Sequence, residues 1–105
     1  MSAETGPEDA RPEGFYVDGA RWRYAGALTF ANASRVFAAA RAMPMPAGGE
    51  IDLSGVVAVD SSAVAVLLAL RRRAVDEAKP LHLIDVPAAL SALADLYSVE
   101  DLLAA

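Results

Sequence analysis

The stretch IDLSGVVAVDSSAVAVLLALRRRA, Ile51 to Ala74, decides how this chain folds. Its first half is apolar and β-branched up to Asp60, which predicts a strand, and from Ser62 onward Val, Leu and Ala recur at helical spacing. Ser61 and Ser62 therefore stand at a strand-to-helix junction. The first N–H groups of a helix lack intrahelical partners, so either serine is able to cap it, and a phosphate placed there would meet the positive end of the helix dipole. A helix needs one cap only. Ser62 is the candidate cap and Ser61 the contact hydroxyl, although exchanging the two roles satisfies the same pattern.

Downstream of the junction the spacing predicts a helix over Ser62 to Ala78, a strand over Leu81 to Asp85 and a helix over Pro87 to Tyr97. Ser98-Val99-Glu100-Asp101 then resembles a capping box for a last short turn. Upstream, Phe15 to Val17, the turn pair Asp18-Gly19, and Trp22 to Ala25 with Arg21 and Arg23 alternating outward read as a β-hairpin. Gly26 breaks that pattern, Val36, Phe37, Ala40 and Met43 recur at helical spacing, and Met43-Pro44-Met45-Pro46 with Gly48-Gly49 forms a loop. Residues 1–14, rich in Glu, Pro and Gly, read as a disordered tail dispensable for folding, and residues 15–105 as one domain. Strands alternating with helices of this length call for right-handed crossovers. The expected fold class is α/β, a single domain with a mixed four-stranded sheet and three to four helices.

Composition narrows what such a domain does. A chain of 105 residues holds one core and is too short for a cleft between two catalytic domains. Nine basic against fourteen acidic residues give a net charge of −5, which disfavours nucleic acid and anionic lipid as direct partners. Without cysteine there is no thiolate chemistry, and the chain has no need of an oxidising compartment. The acidic N-terminus lacks the marks of a signal peptide, and the longest apolar run, Ala63 to Leu70, falls far below a membrane span, so a cytoplasmic location is expected.

On the long helix, Val64, Leu67, Leu68, Val75 and Ala78 share one arc, while Val66, Leu70 and Arg73 lie nearly opposite. If the first arc faces the sheet, Val66 and Leu70 form a small apolar patch beside basic residues, as a docking surface does. The alternative is that neighbouring helices cover them. Arg73 is the candidate for pairing with a partner's carboxylate, whereas Arg71 buries its stem against the sheet.

An enzyme is the weaker reading. Asp52, Asp60 and Asp85 lie on or at the ends of predicted strands, where carboxylates can bind Mg²⁺, but Asp52 and Asp60 occupy opposite ends of one segment and no glycine-rich phosphate loop appears. His82, the sole histidine, has no oxyanion hole to serve with Ser61. The expectation is a non-catalytic protein without metal or cofactor.

The strand-loop-helix Ile51 to Ala74 resembles the STAS domain of bacterial anti-sigma-factor antagonists and related partner modules, over roughly Phe15 to Leu103. RWRYAGALTF, the Leu-rich helix and LHLIDVPAALSALADLYSVEDLL are more similar to the MlaB-type subunit, the LADLYSVEDLL ending being the most specific part. That resemblance implies a small cytoplasmic accessory subunit of the ABC system that moves phospholipids between the bacterial outer and inner membranes, peripheral to the inner membrane and bound to the ATPase. It places Ser61, preceded by Asp60, at the ATPase contact. In the anti-sigma antagonists the matching hydroxyl is phosphorylated by the anti-sigma factor kinase, which is the alternative. The expected contact set is Asp60, Ser61 and Ser62 with Ala63, Val66, Leu70 and Arg73. Ala63 stands where many members carry Gly, and Val64 and Val66 where Leu is commoner.

Overall fold

A computed structural model describes residues 12–97. Two strands, β1 (Gly14–Asp18) and β2 (Arg21–Leu28), form the antiparallel hairpin, paired from Gly14↔Ala25 to Asp18↔Arg21. The two-residue loop is Gly19-Ala20, one position later than the Asp18-Gly19 expectation, and Gly19 takes the left-handed φ of +65° that such a loop requires. The chain continues through α1 (Ala33–Arg41), β3 (Glu50–Asp52), β4 (Val56–Val59), α2 (Ser61–Asp76), β5 (His82–Ile84) and α3 (Ala88–Leu96).

The molecule is thus a small α/β domain with a mixed sheet, of five strands rather than four. The segment read as one strand from Ile51 to Asp60 divides at Leu53-Ser54-Gly55. There Asp52 Oδ1 accepts the Ser54 N–H at 2.8 Å, and the Val56 N–H reaches the Leu53 carbonyl at 3.1 Å, closing a turn. Gly55 permits it, because a Cβ at that position would lie 2.2 Å from the Tyr24 carbonyl oxygen. β3 pairs in parallel with the start of β2 and with β5, while β4 pairs in parallel with the end of β2, Leu28 opposite Val59. The offset delivers Asp60 to the loop that leaves β2.

Alternation along β2 separates the two faces of the sheet. Trp22 and Tyr24 are buried in the core with Leu28, Ile51 and Leu53, and the Phe15 ring packs edge-on to Tyr24 at 4.8 Å. On the other face the parallel register sets Arg21 beside Glu50 and Arg23 beside Asp52. The buried Asp52 carboxylate pairs with Arg23 Nη1 at 3.0 Å and Arg21 Nη1 at 3.8 Å. Burial is the largest influence on Asp52 and pushes its pKa up, but the hydrogen bonds from Ser54 and the two arginine charges outweigh it and hold the carboxyl below its ordinary value.

Helix α2 lies between α1 and α3 and buries Ala63, Val64, Val66, Leu67, Leu70 and Ala74. Of the two alternatives for Val66 and Leu70, coverage by neighbouring elements holds, and the docking patch expected there is corrected, as is the sheet-facing place of Val75 and Ala78. Val66 and Leu70 are 5% and 0% exposed, while Val75, assigned to the sheet-facing arc, is 69% exposed and Ala78 is also open to solvent. A helix with the sheet beneath it and a helix on each side buries more than one stripe, which a single-face reading of periodicity misses.

The boundary of the ordered fold also moves. Gly14 pairs in β1, and the Glu13 carboxylate accepts hydrogen bonds from Asn32 Nδ2 at 2.7 Å and from the Ala27 N–H at 3.3 Å, so both belong to the domain rather than to a tail. The capping-box expectation at Ser98 to Asp101 lies outside the described residues.

Candidate functional site at the β4–α2 junction

Neither serine caps α2. Asp60 does, in extended conformation, with its Oδ1 accepting the Ser62 N–H at 2.8 Å. Asp60 closes an apolar run and so reads as a strand end, but an extended residue directly before the first helical turn is where a short acceptor side chain reaches the orphan N–H groups ahead of it. Its second oxygen, Oδ2, accepts the Phe30 N–H at 2.8 Å. That bond is the largest influence on the carboxyl; with Ser62's contribution it overcomes a smaller opposing burial effect and holds the pKa below its ordinary value. Ser61, the first helical residue, is exposed, Ser62 is half-buried, and Ala63 is fully buried against the core.

The loop from β2 into α1 is tied down as firmly as the helix start. Asn32, 6% exposed, turns its Oδ1 to the Thr29 N–H at 3.1 Å and its Nδ2 to the Ala27 carbonyl at 2.8 Å and to Glu13. The Thr29 carbonyl accepts the N–H groups of Asn32 and Ala33 at 3.0 and 2.8 Å. This loop carries Phe30, whose ring is 86% exposed. Phe30, Asn32 and Glu13 escaped sequence reading. Asn32-Ala33-Ser34 signals a helix start, but nothing in the pattern marks a lone Phe as a surface residue.

Helices α1 and α2 run parallel, side by side. The Asp60–Phe30 bond joins their N-terminal ends, and Arg73 joins their C-terminal ends by donating from Nη2 to the Met43 carbonyl at 2.7 Å and from Nη1 to the Ala40 carbonyl at 3.2 Å. Its Nε donates to Glu77 at 2.8 Å, and this bond chiefly lowers the Glu77 pKa. Arg73 is thus a bracket on the last turn of α1, and the expectation that it offers its charge to a partner is corrected.

Between the two helices opens a groove of about 360 Å³, almost wholly apolar, lined by Phe30, Ala33, Phe37, Ala65, Val66 and Ala69, with Ser34 and Ser62 adding hydroxyls. Val66 forms part of the groove wall though little of it is exposed. Leu70 belongs to the core, and Ser61 lies outside the groove beside its N-terminal end.

The junction, loop and groove sit in a fold that comparison identifies. A family model described as Mlab, STAS domain, matches residues 20–104. The chain belongs to the MlaB-type STAS family. No curated protein matches it. In this STAS domain Asp52 is engaged by two arginines and Asp60 by two backbone N–H groups, so these carboxylates serve structural partners. Among the described residues no cluster of His, Asp or Glu is placed to hold a metal ion, and no helix is long and apolar enough to cross a membrane.

Proposed function

We propose that this STAS-domain protein is a non-catalytic accessory subunit that docks on the ATPase of a bacterial phospholipid-transport ABC complex. The contact surface is the exposed Ser61 at the junction together with the groove between α1 and α2. The observation that carries the reading is an apolar groove opening beside the hydroxyl-bearing junction, with an exposed aromatic at its mouth. Docking there would favour one conformation of the ATPase and so tune its turnover. The buried Leu70 drops out of the contact set, and Ala65, exposed on the groove edge, enters it. Ala65→Glu tests the assignment, because it places a charge in the groove without entering the core. Loss of copurification with the ATPase by a folded variant is expected, and unchanged copurification would sink the proposed surface.

A second reading rests on Ser61 being exposed at the first position of a 16-residue helix. A kinase could reach its hydroxyl, and the protein would then act as an anti-sigma-factor antagonist switched by phosphate. Intact mass after incubation with cell lysate and ATP separates the two. One added phosphate lost in Ser61→Ala supports the switch, and an unchanged mass supports the accessory subunit.

A further inference from the structure

Phe30 is the most exposed large apolar side chain among the described residues, yet its backbone is tied down by side-chain hydrogen bonds. Its own N–H is held by Asp60, the preceding Thr29 N–H by Asn32, and Asn32 in turn by Ala27 and Glu13. An aromatic ring on a mobile loop would lose conformational freedom when captured, whereas a ring whose backbone is already fixed binds at lower entropic cost. Four side-chain hydrogen bonds spent on a loop that shows water a phenyl ring make sense when the ring's position matters to something outside the molecule. Exposed aromatics that become buried are the residue class on which interface energy concentrates.

The surroundings indicate what receives it. Beyond Phe37 on α1 comes Arg41, whose guanidinium lies 5.9 Å from the Phe37 ring. Beyond Ala69 on the same stripe of α2 comes the exposed Arg72. The chain carries a net charge of −5, yet two exposed arginines, Arg41 and Arg72, stand just past the apolar lining of this groove, with the exposed Asp76 one turn further along α2. A complementary surface has an apolar socket for the ring and carboxylates toward the two arginines.

We infer that Phe30 is the anchor of the docking surface, inserting into an apolar, acid-rimmed socket of the ATPase subunit, and that Asp60 is a positioning residue that acts on docking through the Phe30 backbone. This rests on the accessory-subunit reading above. It also gives the junction a role separate from direct contact, since Asp60 ties the start of α2 to the loop that carries the anchor.

The test measures binding of the full chain to the purified ATPase subunit. Phe30→Ala, at a residue whose side chain is almost wholly in solvent, should keep the native circular dichroism spectrum and weaken binding about 30-fold or more. Asp60→Ala should weaken binding and raise hydrogen exchange at the Phe30 amide, and its effect on binding should vanish in the Phe30→Ala background. Asp60→Asn, which keeps an acceptor oxygen, guards against simple unfolding and should fall between wild type and Asp60→Ala. Binding of Phe30→Ala within threefold of wild type would overturn the anchor, and an Asp60 effect that persists undiminished without Phe30 would overturn the positioning role. If the wild-type chain itself fails to bind the ATPase, the accessory-subunit reading fails and this inference with it.

Discussion

Asp60 accepts the backbone N–H of Phe30 at 2.8 Å across thirty residues of sequence while its other oxygen accepts the N–H of Ser62. One carboxylate thus starts α2 and fixes the loop before α1. The two helices that border the groove are registered to each other at that point, and Arg73 registers them again at the far end.

Acid should loosen this arrangement. Asp52, Asp60 and Glu77 all have pKa values lowered in the fold, so their contribution to stability is fully present above the ordinary carboxyl values of 3.8 for Asp and 4.5 for Glu and is lost as pH falls through the lower folded values. Thermal unfolding followed down the acid range should show a falling midpoint, with a shallower fall in Asp60→Asn. Asp52→Asn should cost about 1–3 kcal/mol at neutral pH, because it leaves two arginines facing a neutral group. An acid limb as steep in Asp60→Asn as in wild type would contradict the role given to this carboxylate.

Base should act through Tyr24. Burial foremost, aided by the charge of Glu13, pushes its phenol from 10.0 up to about 12, and its hydroxyl donates to the Ala27 carbonyl at 2.7 Å. A raised pKa means stability that is intact below the ordinary value and is lost as pH rises through about 12. Denaturant midpoints should fall across that window in wild type and stay flatter in Tyr24→Phe, which starts about 1 kcal/mol less stable for want of its hydrogen bond.

Replacing Arg73 separates bracket from contact. Arg73→Met keeps much of the stem but removes the donors to two α1 carbonyls and to Glu77, and should lower stability by about 2 kcal/mol. Arg73→Lys should recover only part, since an ammonium cannot reproduce the fork. Chemical denaturation of the three proteins reads the order directly, and equal stability would contradict the bracket.

The end of α2 offers a stabilising change. Ala78 adopts φ +56° just beyond the helix, where the Lys79 N–H returns to the Ala74 carbonyl at 2.8 Å, an arrangement that favours glycine. Relief of the left-handed strain exceeds the extra chain entropy of glycine in the unfolded state, so Ala78→Gly should raise stability by about 0.5–1 kcal/mol. A lowered unfolding midpoint would show that Ala78 is better accommodated than its backbone angle indicates.

Local chemistry wrote the elements and the junction into the sequence. The β-branched run before Asp60, the helical spacing after it, the turn residues near Gly19 and the resemblance carried by Ile51 to Ala74 led to an α/β STAS domain, and the family match agrees. Less legible was the break at Ser54-Gly55, because Gly55 is needed for an approach to Tyr24, thirty-one positions earlier. The reading of the site went astray where it depended on neighbours. Val66, Leu70 and Arg73 were placed by helical periodicity, which gives the angle of a residue around its axis but not how many elements surround that axis.

Apart from the division of the strand between Ile51 and Asp60, the sequence by itself determined the order of strands and helices, the place of the junction and the family, since each depends on residues within a turn or two of one another or on a contiguous motif. Tertiary structure alone decided that the Asp60 carboxylate also holds the Phe30 N–H, that Leu70 is core, that Arg73 serves α1, and that Phe30 stands fixed at the mouth of the groove. Each of these is a contact between segments some thirty residues apart, or the burial that such contacts produce. They arise only when the sheet brings the loop after β2 beside the end of β4.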